Sequence, residues 1–248
     1  MANEVVKSFS ESLSDKLMTV EAALPKDFNK ERFVQNCLAV LNEKPELTRV
    51  NAADLQAGLL KGAYLGLDFF KKECYLIPYG NKVNFQTDYK GETKFVKRYS
   101  IRPIHEIYAK IVREGDFFEE KIENGLPSID FKPKPFNNGQ IVGAFAVALY
   151  KDGGMEYEVM SERDINAVRS NYSKMSNSGA WKNSWDEMAK KTVLRRLCKH
   201  IETDFESIEA MKAWEDGSDS NIATVERSGD VVDAFSDVVA ESEYKEVE

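Results

Sequence analysis

Histidine and cysteine are scarce in this chain of 248 residues, and each scarcity excludes a class of protein. There are two histidines and three cysteines, and the cysteines, Cys37, Cys74 and Cys198, are widely separated. An odd number of distant cysteines argues against a disulfide framework and against a CxxC zinc site. Seven prolines and fourteen glycines are too few for a collagen-like or low-complexity chain.

Long hydrophobic runs are also missing from the sequence. No segment approaches the ~18 consecutive apolar residues that a membrane helix needs. Residues 1–30 carry charges throughout and contain no apolar stretch typical of a secretory signal. Apolar residues nevertheless make up 42% of the chain, which is enough to form a core. We therefore expect a cytoplasmic protein with no membrane segment.

Common catalytic and nucleotide-binding motifs are absent as well. The sequence has no GxxxxGK[ST] phosphate-binding loop, no GxGxxG after a strand and no GxSxG nucleophile elbow. His105 and His200 have no partner at metal-ligand spacing. Asp88 and Glu92 bracket Lys90 and could together hold Mg²⁺. A metal-dependent nuclease therefore stays open as an alternative, and it would need these acids to converge.

Charge is distributed unevenly along the chain, whose net charge is −8. Residues 202–248 contain fifteen acidic and three basic residues, so the rest of the chain has a net charge of +4. Residues 71–113 contain ten basic and four acidic residues, and residues 161–200 contain nine and four. Two basic segments favour a polyanionic partner, with solvated surface charge as the alternative. The acidic segment could compete with that partner, contact another protein or solubilise the chain.

The pattern of apolar residues predicts an α+β fold. Helical spacing precedes residue 68, and Asn51 is predicted to cap the third helix. Alternating residues then predict a hairpin at 74–88 and further antiparallel or mixed strands, with a loop over 125–139. We divide the chain into an N-terminal helical region (1–50), a central core (51–201) and an acidic, largely disordered tail (202–248).

A long basic helix is predicted at residues 182–201. At ~100° per residue, Lys191, Arg195 and Lys199 form a ridge opposite the apolar stripe. The helix itself places no acid on this ridge, which suits contact with a phosphate backbone. Lys190 falls on the apolar side, so it must snorkel, pair with an acid or face a groove. A solvated helix face is the alternative interpretation.

A second basic and aromatic cluster follows the predicted hairpin. Tyr89 directly precedes a short helix predicted from Lys90 to Tyr99, which contains Lys90, Lys94, Lys97 and Arg98. Aromatic side chains can stack on bases while lysine and arginine bind phosphates. Packing in the core is the alternative role for Tyr89.

Two further lysines have aromatic or turn surroundings. Lys82 lies in the turn of the predicted hairpin, and Lys182 lies between Trp181 and Trp185. The two tryptophans form either a stacking platform or a hydrophobic clamp, and the sequence favours the clamp.

Several blocks of the sequence form a recognisable series. They are Gly62-Ala63-Tyr64-Leu65-Gly66-Leu67-Asp68, Tyr75-Leu76-Ile77-Pro78-Tyr79-Gly80, Tyr89-Lys90-Gly91, Val112-Arg113-Glu114-Gly115-Asp116, and Trp185-Asp186-Glu187-Met188-Ala189-Lys190-Lys191-Thr192-Val193-Leu194-Arg195-Arg196. In this order and spacing they resemble the RecT family of phage and prophage single-strand annealing proteins. The block that contains Lys190 to Arg196 is the most specific of them.

The resemblance implies an α+β protein that binds single-stranded DNA and anneals complementary strands in recombination without ATP. It also implies a homo-oligomer, as a ring or a helical filament, that works with a phage exonuclease and a host single-strand binding protein in the bacterial cytoplasm. No cofactor is expected, although Mg²⁺ could modulate assembly. A protein that coats DNA without annealing it and a protein–protein module remain alternatives. The residues expected to bind DNA are Lys82, Tyr89, Lys90, Lys94, Lys97, Arg98, Lys182, Lys190, Lys191, Arg195, Arg196 and Lys199.

Overall fold

The computed structural model describes residues 2–123, 125–172 and 179–217. Within these ranges, none of the helices combines the length and the apolar character needed to cross a membrane. The fold is α+β, and all of its described strand pairs are antiparallel.

The N-terminal part of the chain is helical, as the sequence predicts. Its helices are α1 (Ala2–Thr19), α2 (Lys30–Glu43) and α3 (Ala52–Tyr64), with short 3₁₀ turns at Glu21–Ala23 and Pro45–Arg49. The Asn51 side chain accepts hydrogen bonds from the amides of Ala53 and Asp54, which confirms the predicted cap of α3. Leu13 and Leu17 of α1 are fully buried, so this helix packs into the core by its apolar stripe.

In the described residues, seven strands and a short helix form the middle of the chain. The strands are β1 (Cys74–Tyr79), β2 (Lys82–Thr87), β3 (Ile104–Arg113), β4 (Phe117–Glu123), β5 (Leu126–Lys132), β6 (Ile141–Tyr150) and β7 (Met155–Ser161), and helix α4 (Tyr89–Tyr99) follows β2. Strands β1 and β2 form the predicted hairpin, and β3, β6 and β7 form a three-stranded sheet in the order β3-β6-β7.

Strand β5 corrects the loop predicted over residues 125–139. It pairs with β4 through the whole of Leu126–Lys132. Pro127 has no backbone N–H to donate. It is tolerated because β4 and β5 form a two-stranded sheet, so each strand has one edge without a hydrogen-bonded neighbour. This hairpin covers one face of β6, where Phe131 packs against Phe145 with ring centroids 5.0 Å apart.

Four helices complete the described chain: α5 (Glu162–Tyr172), α6 (Gly179–Asn183), α7 (Trp185–His200) and α8 (Ile208–Gly217). The basic helix predicted at 182–201 therefore begins at Trp185, and Lys182 belongs to α6. Helix α8 corrects the assignment of residues 202–217 to the tail, because Trp214 is buried and stacks on Phe95 with centroids 4.6 Å apart. Residues 218–248 lie outside the described residues.

Strand β6 explains where the core lies. Ala144, Ala146 and Ala148 face the main core, whereas Phe145 and Val147 belong to a smaller cluster under the β4–β5 hairpin. Because successive side chains of a strand point to opposite faces, β6 is buried on both sides. The main core runs from α1 to α8 and contains residues from all three regions proposed from the sequence.

Candidate nucleic-acid interface

Helices α4 and α7 pack side by side and bring the two basic segments of the sequence together. The Asp88 carboxylate accepts a hydrogen bond from the Lys90 amide and so caps the first turn of α4. Phe95 and Val96 then face the core, whereas Lys90 and Lys97 are exposed. The amphipathic pattern of α4 therefore presents its lysines to solvent.

A turn over residues 68–73 supports α4 from below. Gly91 lies so close to this turn that an added Cβ would come within 2.1 Å of the Glu73 carbonyl oxygen. Lys94 Nζ contacts a carboxylate oxygen of Glu73 at 2.6 Å and the Gly66 carbonyl oxygen at 3.0 Å. Lys94 thus holds α4 on the turn and is partly neutralised, unlike the exposed lysines of the same helix.

A buried carboxylate lies between α4 and α7. Glu92 is 0% exposed, and its Oε1 atom accepts a hydrogen bond from the Thr87 hydroxyl at 2.7 Å. Arg195 Nη2 lies 3.1 Å from the same oxygen. Burial raises the pKa of Glu92, and Arg195 and Thr87 oppose this rise without cancelling it. Oε2 of Glu92 has no hydrogen-bond partner within the described part of the chain.

Two more cations of α7 have carboxylate partners. Arg196 Nε lies 2.6 Å from Glu158 of β7, and the arginine side chain is 19% exposed. Lys190 forms an ion pair with Glu187 on its own helix, which is one of the outcomes expected for it. Arg195 and Arg196 therefore correct the expectation of an unneutralised ridge: acids from distant parts of the sequence reach them.

Lys191 has a different environment. Its ammonium group lies 5.2 Å from the centroid of the Tyr89 ring, a cation–π contact between α7 and α4. Tyr89 is half-buried and packs against the main core. Tyr89 therefore combines the two roles that the sequence leaves open, since it packs on one side and meets a basic residue on the other.

The tryptophans near α7 contribute to packing. Trp181 is 4% exposed, with the Arg169 guanidinium 5.4 Å from its ring centroid. Trp185 donates a hydrogen bond from Nε1 to the Asn166 side chain at 3.1 Å. Both rings are engaged within the protein, which favours the hydrophobic clamp over the stacking platform.

The remaining predicted residues are more scattered. Lys82 is the first residue of β2, not part of the turn as predicted, and it lies at the end of this strand far from α4, since β2 is about 17 Å long. Lys182 is exposed on α6, and Lys199 is half-buried in the last turn of α7. Arg98 lies on the outer side of α4 over the Tyr99 ring, with 5.9 Å between its guanidinium carbon and the ring centroid. Lys82 is therefore separate from the α4–α7 pair.

The geometry does not bring Asp88 and Glu92 together as a metal pair. Asp88 caps α4 at the surface, whereas Glu92 points into the protein towards Arg195. No group of three potential metal ligands is found among the residues described. Sequence reasoning missed the partnership of Glu92 with Arg195 because 103 positions separate the two residues.

Comparisons with known proteins identify relatives. The model of the RecT family matches residues 31–227. Protein RecT of Escherichia coli (strain K12) is 32% identical over 224 residues, which cover 84% of this chain and 81% of that protein. The uncharacterized protein YqaK of Bacillus subtilis (strain 168) is 28% identical over 174 residues, which cover 67% of this chain and 57% of that protein. The matched range contains every residue expected to bind DNA.

Proposed function

This chain belongs to the RecT family of DNA recombination and annealing proteins, and from that premise we propose that it binds single-stranded DNA and anneals complementary strands without ATP. One observation carries the assignment of the surface. Exposed lysines of α4 stand next to the Lys191–Tyr89 contact of α7. They therefore provide cations and an aromatic ring along the junction of two helices.

The proposed binding mode uses phosphates first. Lys90, Lys97 and Lys191 contact the backbone of the strand, which carries no sequence information, so binding is independent of sequence. An annealing protein must leave the base edges accessible to a second strand. Contacts to phosphate and to base faces meet this requirement, because neither occupies the Watson–Crick edge.

Arg195 and Arg196 have a positioning role in this proposal. Each is less than one-fifth exposed and is held by an acid on another element. Glu92 fixes α7 against α4, and Glu158 fixes α7 against β7. These pairs set the orientation of the surface that carries Lys191, and the strand itself binds the exposed cations.

The proposal includes no bond-making or bond-breaking step. Burial raises the pKa of each of the three cysteine thiols, Cys37, Cys74 and Cys198, so none is a ready nucleophile. We further propose that the protein acts as a homo-oligomer in the bacterial cytoplasm, with Mg²⁺ modulating assembly but not required. A phage exonuclease would supply its single strands, and a host single-strand binding protein would be displaced from them.

Annealing of two labelled complementary oligonucleotides tests the proposal directly. The full chain is mixed with both strands in EDTA and without nucleotide. We expect pairing faster than the spontaneous rate, and binding that weakens steeply with added salt. Tight binding without acceleration would reduce the function to coating. No binding to single strands would overturn the proposal, and strand cleavage that needs a divalent metal would favour a nuclease.

A further inference from the structure

We propose that the turn over residues 68–73 is a base-stacking site for single-stranded DNA, in which Phe70 stacks on a base and Lys71 and Lys72 contact the flanking phosphates. This inference rests on the proposed function, and it names the base contact that the lysines of α4 do not supply. The sequence did not single out these residues.

The turn is closed by its own hydrogen bonds. Asp68 Oδ1 accepts from the amides of Phe70 at 2.9 Å and Lys71 at 3.2 Å. The Asp68 amide donates to a carboxylate oxygen of Glu73 at 2.9 Å, and the Glu73 amide donates to the Asp68 carbonyl at 3.0 Å. Lys72 has a φ of +58°, which turns the chain back towards β1. The residues at the tip are therefore held in a fixed orientation before any ligand binds.

Two adjacent aromatic residues have opposite environments in this turn. Phe69 is 5% exposed and packs against Phe33 and Phe85, with centroids 6.1 and 6.2 Å away. Phe70 is 53% exposed. Phe69 anchors the turn in the core, and the turn holds the ring of Phe70 out in solvent. Because the backbone of the turn is already held, little backbone freedom is lost when a base stacks on this ring.

The charges around Phe70 suit a polyanion. Lys71 and Lys72 directly follow Phe70 and are exposed, whereas Asp68 and Glu73 are engaged inside the turn. Asn36 also donates to Asp68, and Lys94 pairs with Glu73, so both carboxylates are already engaged by donors within the protein.

A shallow cleft of about 50 Å³ lies beside the ring. Phe70, Lys72 and Tyr75 line it, and the Lys44 ammonium lies 5.7 Å from the centroid of the Tyr75 ring. Glu43 is the acid on its rim. A strand that stacks on Phe70 therefore meets further basic and aromatic groups in this cleft.

The turn is continuous with the α4 surface. The Asp88 amide donates to the Glu73 carbonyl at 2.9 Å, and Gly91 packs directly on the same carbonyl. One strand can therefore contact the lysines of α4 and the ring of Phe70 in succession. Single-stranded DNA fits better than a duplex, because the base faces inside a duplex are already covered by the neighbouring base pairs.

Fluorescence of a tryptophan placed in the turn gives a direct test. Phe70→Trp is compared with Phe136→Trp, because Phe136 is 99% exposed and lies on a different part of the surface. We expect oligo(dT) to quench Phe70→Trp more than Phe136→Trp or the unmodified chain, whose own tryptophans give the background. An oligonucleotide of the same length that lacks bases should not quench Phe70→Trp more than Phe136→Trp, because it offers no ring for stacking.

Phe70→Ala supplies the affinity measurement. We expect its affinity for oligo(dT) to fall by about tenfold and its affinity for the oligonucleotide without bases to stay unchanged. Unfolding by urea should also stay unchanged, since the ring is exposed.

Equal binding by Phe70→Ala, with no quenching of Phe70→Trp, would overturn the stacking site while leaving the proposed function in place. Phe70→Ala could instead form a smaller oligomer in which each subunit binds oligo(dT) as tightly as before. That result would assign the ring to an interface between copies and would also overturn the stacking site. Absence of DNA binding by the unmodified chain would instead overturn the proposed function.

Discussion

Two neighbouring regions carry basic residues in different environments. One is the junction between α4 and α7, and the other is the outer surface formed by α4 and the turn over residues 68–73. At the junction, Arg195 and Arg196 are shielded from water and each meets a carboxylate. On the outer surface, Lys71, Lys90 and Lys97 are exposed, and none of them forms an ion pair with another residue of the described chain. Basic residues close together in space thus divide into those that hold the fold and those that can bind a ligand.

This difference follows from desolvation. A cation withdrawn from water is stabilised by a matching charge and by hydrogen bonds, and it loses much of its attraction for an external phosphate. An exposed cation keeps that attraction but contributes little to stability. Position within the fold, more than residue type, therefore decides which of these basic residues can bind DNA. Four predictions test this division.

The largest expected effect is on stability. Arg195→Ala should lower the free energy of unfolding by about 3–5 kcal/mol, because it leaves Glu92 buried without its cation. Urea denaturation measures the change. Lys191→Ala is the matched control on the same helix; it removes the cation–π contact with Tyr89 but leaves no buried charge unpaired, so it should change the free energy of unfolding by no more than about 1 kcal/mol. If the two variants are equally stable and Arg195→Ala no longer binds DNA, Arg195 would belong to the residues that bind DNA and not to those that stabilise the fold.

The next effect concerns affinity. Lys90→Ala combined with Lys97→Ala should weaken binding to single strands and reduce the slope of log K against log salt by roughly 1.4, since each phosphate contact contributes about 0.7. Unfolding should remain unchanged. Lys132→Ala is the control, because this lysine side chain is 72% exposed on β5, away from α4. A salt slope that stays the same in the double variant would remove α4 from the interface.

Removal of the acidic segment should have a smaller effect of opposite sign. Residues 218–248 contain nine acidic and two basic residues, and they follow Gly217, whose carbonyl lies 3.1 Å from the Thr87 hydroxyl. A chain that ends at residue 217 should fold and bind single strands more tightly at low salt, because a tethered anionic competitor is removed.

The position of the truncation matters for this experiment. A chain that ends before α8 should be destabilised, since it loses the buried Trp214 and its contact with Phe95. Unchanged affinity at every salt concentration in the chain that ends at residue 217 would show that the acidic segment does not compete with DNA.

The smallest expected effect is a pH dependence. Burial raises the pKa of Glu92, so folding favours its protonated form. The stabilisation from this preference is fully present below the pKa of the unfolded chain, about 4.3, and is lost as pH rises through the higher pKa of the folded state. The stability of the unmodified chain relative to Glu92→Gln should therefore decrease between pH 4.5 and 7. A constant difference over this range would contradict the raised pKa.

Local features were predictable from the sequence. The Asn51 cap and the hairpin of β1 and β2 depend on residues a few positions apart, and both are found where expected. Strand β5 was missed because its own Pro127 and the prolines and asparagines that follow it are typical of loops. Helix α8 was missed because acidic composition outweighed one buried aromatic residue, Trp214.

The candidate site was predictable only in part. Sequence pattern found the basic helices, and the family resemblance connected them with DNA. Neither source could show that Glu92 and Glu158 reach α7, because those contacts depend on how distant segments pack. Phe70 was missed for a related reason, since Phe69 and Phe70 look alike in sequence and only the turn separates a buried ring from an exposed one.

Gly91 fixes the distance between α4 and the turn over residues 68–73. There is no room for a Cβ between α4 and the Glu73 carbonyl, so the two backbones are in direct contact. This contact sets the distance from the lysines of α4 to the tip of the turn. Exchange of one exposed side chain for another leaves that spacing as it is. Relatives of this protein could therefore vary the chemistry of individual contacts while the interval at which they meet a strand stays constant.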